Sequence, residues 1–154
     1  MNFLVRVFAS VFFVGYMPVA PGTFGSAAAI PLSILQAALA TAHPWAALAV
    51  FAAFVAVASG IAGRAEAVFG QKDSSRIVID EVAGYLTATL FLPPSWEVLA
   101  VAFVLFRFFD VVKPFPAARI DRGLGGGLGV VLDDVVAGMY TQVCLRVLLA
   151  LGWL

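Results

Sequence analysis

Charge is what this sequence has least of. Of its 154 residues only 12 % are charged, nine basic against nine acidic, while 63 % are hydrophobic. A water-soluble domain carries about 25 % charged and about 45–50 % apolar residues. A chain of this length cannot enclose so much apolar surface in one water-exposed globule. The mean hydropathy of +1.05 therefore makes lipid the solvent over most of its area. With the charges balanced and no basic stripe, nucleic acid is excluded as a partner. There is one cysteine, Cys144, inside an apolar run, which excludes an intramolecular disulfide and predicts a small buried hydrophobe. The single histidine, His43, leaves a histidine-pair phosphatase or a serine–histidine hydrolase without its base. A secretory leader is not expected either. Arg6 lies inside the first apolar stretch, and no small-residue cleavage site follows it.

What is present is a series of apolar runs. A spanning helix needs about 20 such residues, with roughly 17 as the lower limit. Ser26 to Ala42 just meets that limit and Trp45 to Gly63 exceeds it, with His43-Pro44 turning the chain between them into a helical hairpin. A polar loop follows, Arg64 to Arg76. Ile77 to Asp110 breaks at Pro93-Pro94-Ser95, which predicts two short helices, about Asp80 to Leu92 and Trp96 to Phe109. A loop rich in glycine and proline spans Val111 to Gly127, and a last helix runs from about Leu128 to Leu151. Phe3 to Val14 is too short to cross and is expected to be interfacial or re-entrant. The fold class expected is all-α, a small polytopic membrane protein forming a single domain over residues 1–154. It would combine the hairpin, the short or broken helices and a polar pocket at the cytoplasmic face, since helices satisfy their own backbone in lipid.

Orientation follows from the basic residues. Arg64, Lys72 and Arg76 share one loop, Lys113, Arg119 and Arg122 another, with Arg107 at its edge, so seven of nine basic residues lie on one side. The turns at His43-Pro44 and Pro93-Pro94 carry no lysine or arginine. By the positive-inside rule the basic loops face the cytoplasm. Arg146 lies inside the last helix and has to snorkel or pair. Asp80, Glu81, Asp110, Asp121, Asp133 and Asp134 gather on the same side, as does the segment Gly15 to Gly25.

Asp133-Asp134 is the strongest chemical signal, because apolar residues frame it on both sides. A carboxylate in a membrane helix costs about 2.5–3.5 kcal/mol near the centre, and two adjacent ones repel, so a cation or a basic partner is implied. Asp80-Glu81 is a second pair, also compatible with the first turn of a helix, where carboxylates favour the dipole. Gly84 follows Asp80 by four residues and Gly138 follows Asp134 by four, which puts each glycine on its carboxylate's face. Small residues there let helices approach closely, so the two acidic pairs can meet. Four converging carboxylates without sulfur or imidazole form a hard oxygen site suited to Mg²⁺ or Mn²⁺. The segment Gly15 to Ser26 is a loop ending at a helix start, with Ser26 as its expected N-cap and the Thr23 and Ser26 hydroxyls offering a phosphate seat. Arg107 and Asp110 share a helix face, and Arg107 with Lys113 supplies the positive charge an anionic phosphate needs.

Four strings carry a resemblance: Pro18 to Ser26 (PVAPGTFGS), Ile79 to Gly84 (IDEVAG), Phe106 to Pro116 (FRFFDVVKPFP) and Gly126 to Gly138 (GGLGVVLDDVVAG). In this order and spacing the chain resembles the phosphatidylglycerophosphatase A family over nearly its whole length. The resemblance implies a Mg²⁺-dependent lipid phosphatase of the bacterial inner membrane, active site facing the cytoplasm, which hydrolyses phosphatidylglycerophosphate to phosphatidylglycerol and inorganic phosphate. Its acidic motif residues fall on Asp80, Glu81, Asp110, Asp133 and Asp134, its loop residues on Pro21, Gly22, Thr23 and Ser26, and its basic ones on Arg107 and Lys113. Gly125 and Ala118 depart from the pattern, and neither is assigned a role. Chemically, Asp80, Glu81, Asp133 and Asp134 are expected to hold Mg²⁺, with Asp80, Asp134 and Asp110 as the catalytic carboxylates. Thr23, Ser26, Arg107 and Lys113 would bind the phosphate. Attack by an activated water and an aspartyl-phosphate route both remain open. The rival from another class is a small transporter using intramembrane carboxylates, which requires a polar path to the far side. Only Ser33, Gln36, Thr41, His43 and Ser59 offer polar side chains between residues 26 and 63.

Overall fold

The computed structural model describes residues 2–72, 74–115 and 125–154. Asp73, Ala118, Arg119, Asp121 and Arg122 lie outside the described residues. Among those described there are six α-helices and no strand: α1 (Asn2–Ala9), α2 (Pro21–Ala42), α3 (Pro44–Phe69), α4 (Ile79–Thr89), α5 (Trp96–Val112) and α6 (Gly127–Ala150), plus a 3-10 turn at Val14–Tyr16. The all-α polytopic expectation holds. Helices α2, α3 and α6, of 22, 26 and 24 residues, are long and apolar enough to cross a membrane.

Several boundaries moved, each for a local reason. Helix α2 starts at Pro21 rather than Ser26, because proline at the first helical position presets the backbone and has no amide to satisfy. Ser26 is therefore no N-cap. It lies in the second turn, buried, and its hydroxyl donates to the Gly22 carbonyl at 2.9 Å. Helix α3 continues through Arg64 and Glu66 to Phe69, so the expected loop loses its first half to helix; Gly70, at φ 68, ends it in the left-handed region. Helix α4 stops at Thr89, three residues early, and α5 runs on to Val112. Ser95 caps α5 by accepting from the Val98 amide at 3.3 Å. Cys144 is only half-buried. Arg146 is exposed in the penultimate turn of α6, close enough to that helix end to reach the headgroups.

The eleven residues of α4 are too few to span, and this helix instead forms the centre of the molecule. Ten of them are buried, against α6, α2, α3 and α5. Gly84 and Gly138 make the contact with α6 possible, as their spacing predicted. A Cβ on Gly138 would overlap the Gly84 carbonyl, and one on Gly84 would meet the Phe106 ring and the Asp134 carbonyl. Thr87 and Thr89 keep their hydroxyls within α4, donating to the Ala83 and Tyr85 carbonyls. A polar link from α6 to α4 comes from Gln142, whose amide donates to the Thr87 and Leu90 carbonyls at 3.1 and 2.7 Å and so satisfies the C-terminal end of α4.

Helix α1, eight residues long, is too short to cross a membrane. After α1 the chain reverses through Val11, Phe12 and Phe13, all at positive φ (49, 54 and 70°). That conformation costs about 1–2 kcal/mol per non-glycine residue. It is held by Phe12 N donating to Val7 O at 2.8 Å, Gly15 N to Ser10 O at 2.9 Å, and Phe13 N to the Ser10 hydroxyl at 3.1 Å. The reversal brings Ala9 to the chain just before α4, where Val78 N donates to Ala9 O at 2.9 Å.

Candidate active site

Three helix starts build the site. Asp80 and Glu81 occupy the first turn of α4, where the exposed amides and the dipole favour negative charge. Asp133 and Asp134 lie two turns into α6 and reach the same place because Gly84 and Gly138 let the two backbones touch. The N-terminus of α2 closes a third side. Gly22 is so near that a Cβ there would overlap Glu81 Oε1 and stand 3.0 Å from Arg107 Nη1. Ala20 before it is held at φ 47, an unfavourable angle for alanine that aims the first turn of α2 at Glu81.

A cavity of about 240 Å³ is lined by Ser74, Ser75, Ile77, Asp80, Glu81, Asp110, Lys113, Asp133 and Asp134. Arg107 borders it, 2.5 Å from Asp110 Oδ2 and 3.9 Å from Glu81 Oε1. Lys113 Nζ pairs with Asp133 Oδ2. Lys113 ends α5 in the left-handed region, φ 45, which turns its side chain toward α6. Just beyond it the Tyr140 hydroxyl donates to the Phe115 carbonyl at 2.5 Å, while the Tyr140 ring stacks on Phe109. The end of α5 is thus tied to α6 twice.

Ligand atoms of Asp80, Glu81 and Asp134 all lie within 4.8 Å of one another. Asp80 Oδ1 and Glu81 Oε2 are buried and have no hydrogen-bond partner. Burial above all, together with the charges of Glu81 and Asp134, pushes the Asp80 carboxyl well above its ordinary value; burial pushes Glu81 up as well, against the pull of Arg107. Such a group of like charges is unfavourable alone. Five carboxylates here face two cations, the donors are all oxygen, and two of their buried atoms are unengaged, so the residues fit a hard divalent cation.

Of the residues singled out in the sequence, Asp80, Glu81, Asp110, Lys113, Asp133 and Asp134 share the cavity, and Arg107 adjoins it. Thr23 is half-buried, next to Gly22 at the cavity's α2 side. Ser26 is a turn further along, its proton given to Gly22. The acidic cluster divides: Asp134 joins Asp80 and Glu81, while Asp133 is engaged with Lys113. Ser74 and Ser75 were not anticipated. Their only sequence signal was a polar run directly ahead of Asp80-Glu81.

Lipid-crossing helices with a carboxylate cavity flanked by cations where α2, α4 and α6 begin define the class: a polytopic membrane protein that can hold an anionic group beside a divalent cation. The particular family comes from comparison with known proteins. The phosphatidylglycerophosphatase A family matches residues 7–149, and the chain belongs to it. It is 35 % identical over 127 residues to phosphatidylglycerophosphatase A of Escherichia coli K12, covering 81 % of this chain and 72 % of that one. The phosphatidylglycerophosphatase A of Haemophilus influenzae is 33 % identical over 144 residues, 90 % of this chain and 85 % of that one. A Bacteroides thetaiotaomicron protein named "Putative phosphatidylinositol-3-phosphatase" is 36 % identical over 155 residues, covering 95 % and 94 %. No solved structure matches the chain.

Proposed function

We propose that the protein hydrolyses the phosphomonoester of phosphatidylglycerophosphate, giving phosphatidylglycerol and inorganic phosphate, with Mg²⁺ bound by Asp80, Glu81 and Asp134. The observation that carries the reading is that cluster of three buried carboxylates facing Arg107 and Lys113 in one cavity, in a chain of this family. The cation supplies charge neutralisation on the phosphoryl oxygens and favours ionisation of a nearby water. The chain's own residues do the rest. Arg107, held by Asp110, and Lys113, held by Asp133, oppose the remaining charge of the phosphate. The amide end of α2 and the Thr23 hydroxyl offer further donors, with Ser26 behind them stiffening that turn. Asp80, Asp134 and Asp110 are the carboxylates placed to take a proton from the attacking water. Water adds to phosphorus, the bond from phosphorus to the glycerol oxygen breaks, and a proton passes to that oxygen.

The substrate's acyl chains stay in the bilayer while its headgroup reaches the cavity. Arg64, Lys72, Arg76, Arg107 and Lys113 lie in or beside the segments that border the cavity, and by the positive-inside rule this supports a cytoplasmic orientation of that end, in the inner membrane that the family's bacterial members suggest. The Bacteroides relative's name favours a second substrate of the same chemical kind, a phosphomonoester on an inositol headgroup. Phosphate release from both lipids in mixed micelles, with Mg²⁺ or chelator, separates them. The expected result is Mg²⁺-dependent release from phosphatidylglycerophosphate, lowered about a hundredfold in Asp134→Asn. Release that survives chelation, or that the variant retains, refutes the carboxylate–cation assignment. Turnover of the inositol lipid alone moves the substrate.

A further inference from the structure

We propose that Arg6 and Arg76 form a binding site for the phosphodiester headgroup of an anionic bilayer lipid, beside the catalytic cavity and outside it. Both guanidinium groups lie 5.9 Å from the centre of the Phe69 ring, and Arg76 also lies 5.1 Å from that of Tyr16. Both side chains are exposed, and among the described residues no carboxylate pairs with either. Two like charges are thus gathered round one ring. A guanidinium held by its face against an aromatic ring keeps its N–H edge open, and that fork matches two phosphate oxygens.

The surroundings place this pair at the lipid boundary rather than in open water. Helix α1 buries Val7 and Ala9 against the bundle and exposes Phe3, Leu4 and Phe8; Phe12, at 71 % exposure, and Phe13 continue the apolar edge. Phe3, Phe13, Tyr16 and Phe69 form a chain of ring contacts 5.7–6.4 Å apart. Tyr16, an amphipathic ring of the kind enriched at headgroup level, sits among them with the exposed guanidinium groups, and there the available anion is a lipid phosphodiester. The backbones that carry the pair are tied together. Gly15 lies so close to the Arg76 carbonyl that a Cβ would overlap it, and Val78 N donates to Ala9 O at the end of α1. Arg76 falls between Ser75 and Ile77, both in the cavity wall. A headgroup bound there therefore steadies one side of the cavity.

The test is a thermal-shift titration of the full chain in detergent with phosphatidylserine, an anionic phosphodiester, against phosphatidylcholine as the zwitterionic control. Wild type is expected to be stabilised by the anionic lipid in preference to the zwitterionic one. Arg6→Gln/Arg76→Gln is expected to bind it about thirty-fold more weakly, about five-fold per arginine at an anionic lipid surface. Hydrolysis of a water-soluble phosphomonoester stays unchanged in the variant, which shows the cavity intact. Equal phosphatidylserine affinity in variant and wild type overturns the site. So does an equal shift from inorganic phosphate at matched ionic strength, which would make the ligand a free anion. Should the double variant not fold, Arg6→Gln alone, on the exposed face of α1, must lose about five-fold, and no loss there refutes the proposal.

Discussion

At the scale of single residues, the site depends on one absent side chain and on a division of labour between two adjacent aspartates. Gly22 has no Cβ where a Cβ would overlap Glu81 Oε1, the mobile end of a long side chain. Gly22→Ala should therefore leave the fold intact and displace the carboxylate. Misplacing a reacting group by about 1 Å can cost about a hundredfold in rate. The expected outcome is a melting temperature near wild type with activity sharply reduced and the Mg²⁺ half-saturation raised. Asp133 and Asp134 should separate in a steady-state comparison. Asp134→Asn removes a member of the carboxylate cluster, so on the proposed function it should raise the Mg²⁺ requirement. Asp133→Asn weakens the hold on Lys113, a charge-assisted bond of the kind worth about 1.5–3 kcal/mol, so KM should rise about ten-fold or more at an unchanged Mg²⁺ requirement. Equal Mg²⁺ shifts in the two variants would place both aspartates on the cation.

Among the elements, the contact of α4 with α6 is the hinge of the architecture. A short helix full of buried residues can sit centrally only if its neighbours come close, and Gly84 against Gly138 allows that. Gly138→Ala sets a methyl against backbone that has no freedom to yield, and should cost about 1–3 kcal/mol along with much of the activity. Gly60 of α3 is the internal control, because a Cβ there meets nothing within 4 Å. Gly60→Ala should be neutral or stabilising by about 0.5–1 kcal/mol. Thermal melts of both variants in the same detergent decide the point, and similar losses would mean that the close approach is unimportant. The pairing of Asp80 with Gly84 and of Asp134 with Gly138 was legible in the sequence, since spacing of four fixes a helix face. The helix limits were less so. Proline at Pro21 could begin a helix as readily as shape a loop, and Arg64 and Glu66 favour helix as much as they favour water.

For the molecule as a whole, the crowded carboxylates should couple stability to pH and, at the proposed cation site, to divalent cations. Asp80 and Glu81, at the start of the non-spanning α4, bind protons more tightly in the folded protein than in the unfolded chain. With cations removed, their contribution to stability is full below the ordinary carboxylate range and is lost as pH rises through the elevated values. The chelator-treated protein should therefore melt at progressively lower temperature as pH rises. Mg²⁺ should restore more stability at the higher pH, because it replaces the protons. A chelated protein whose melting temperature is flat in pH, or a Mg²⁺ effect independent of it, would contradict this.

Composition by itself determined that the chain lives in lipid, because so few charges leave it no other solvent, and its long unbroken apolar runs determined that the fold is helical, because such a run in lipid satisfies its backbone within a helix. Motif order and spacing named the carboxylates and the cations of the site. Tertiary structure alone decided how they divide: Asp134 faces Asp80 and Glu81 while its neighbour Asp133 takes Lys113. Adjacent helical residues point about 100° apart, and only the packing of α5 and α4 around α6 determines what each meets. It also decided that Ser74 lines the cavity, that Gly22, a loop residue of the motif, abuts Glu81, and that Arg6 reaches Phe69 beside Arg76, because such meetings follow from packing and not from spacing along the chain.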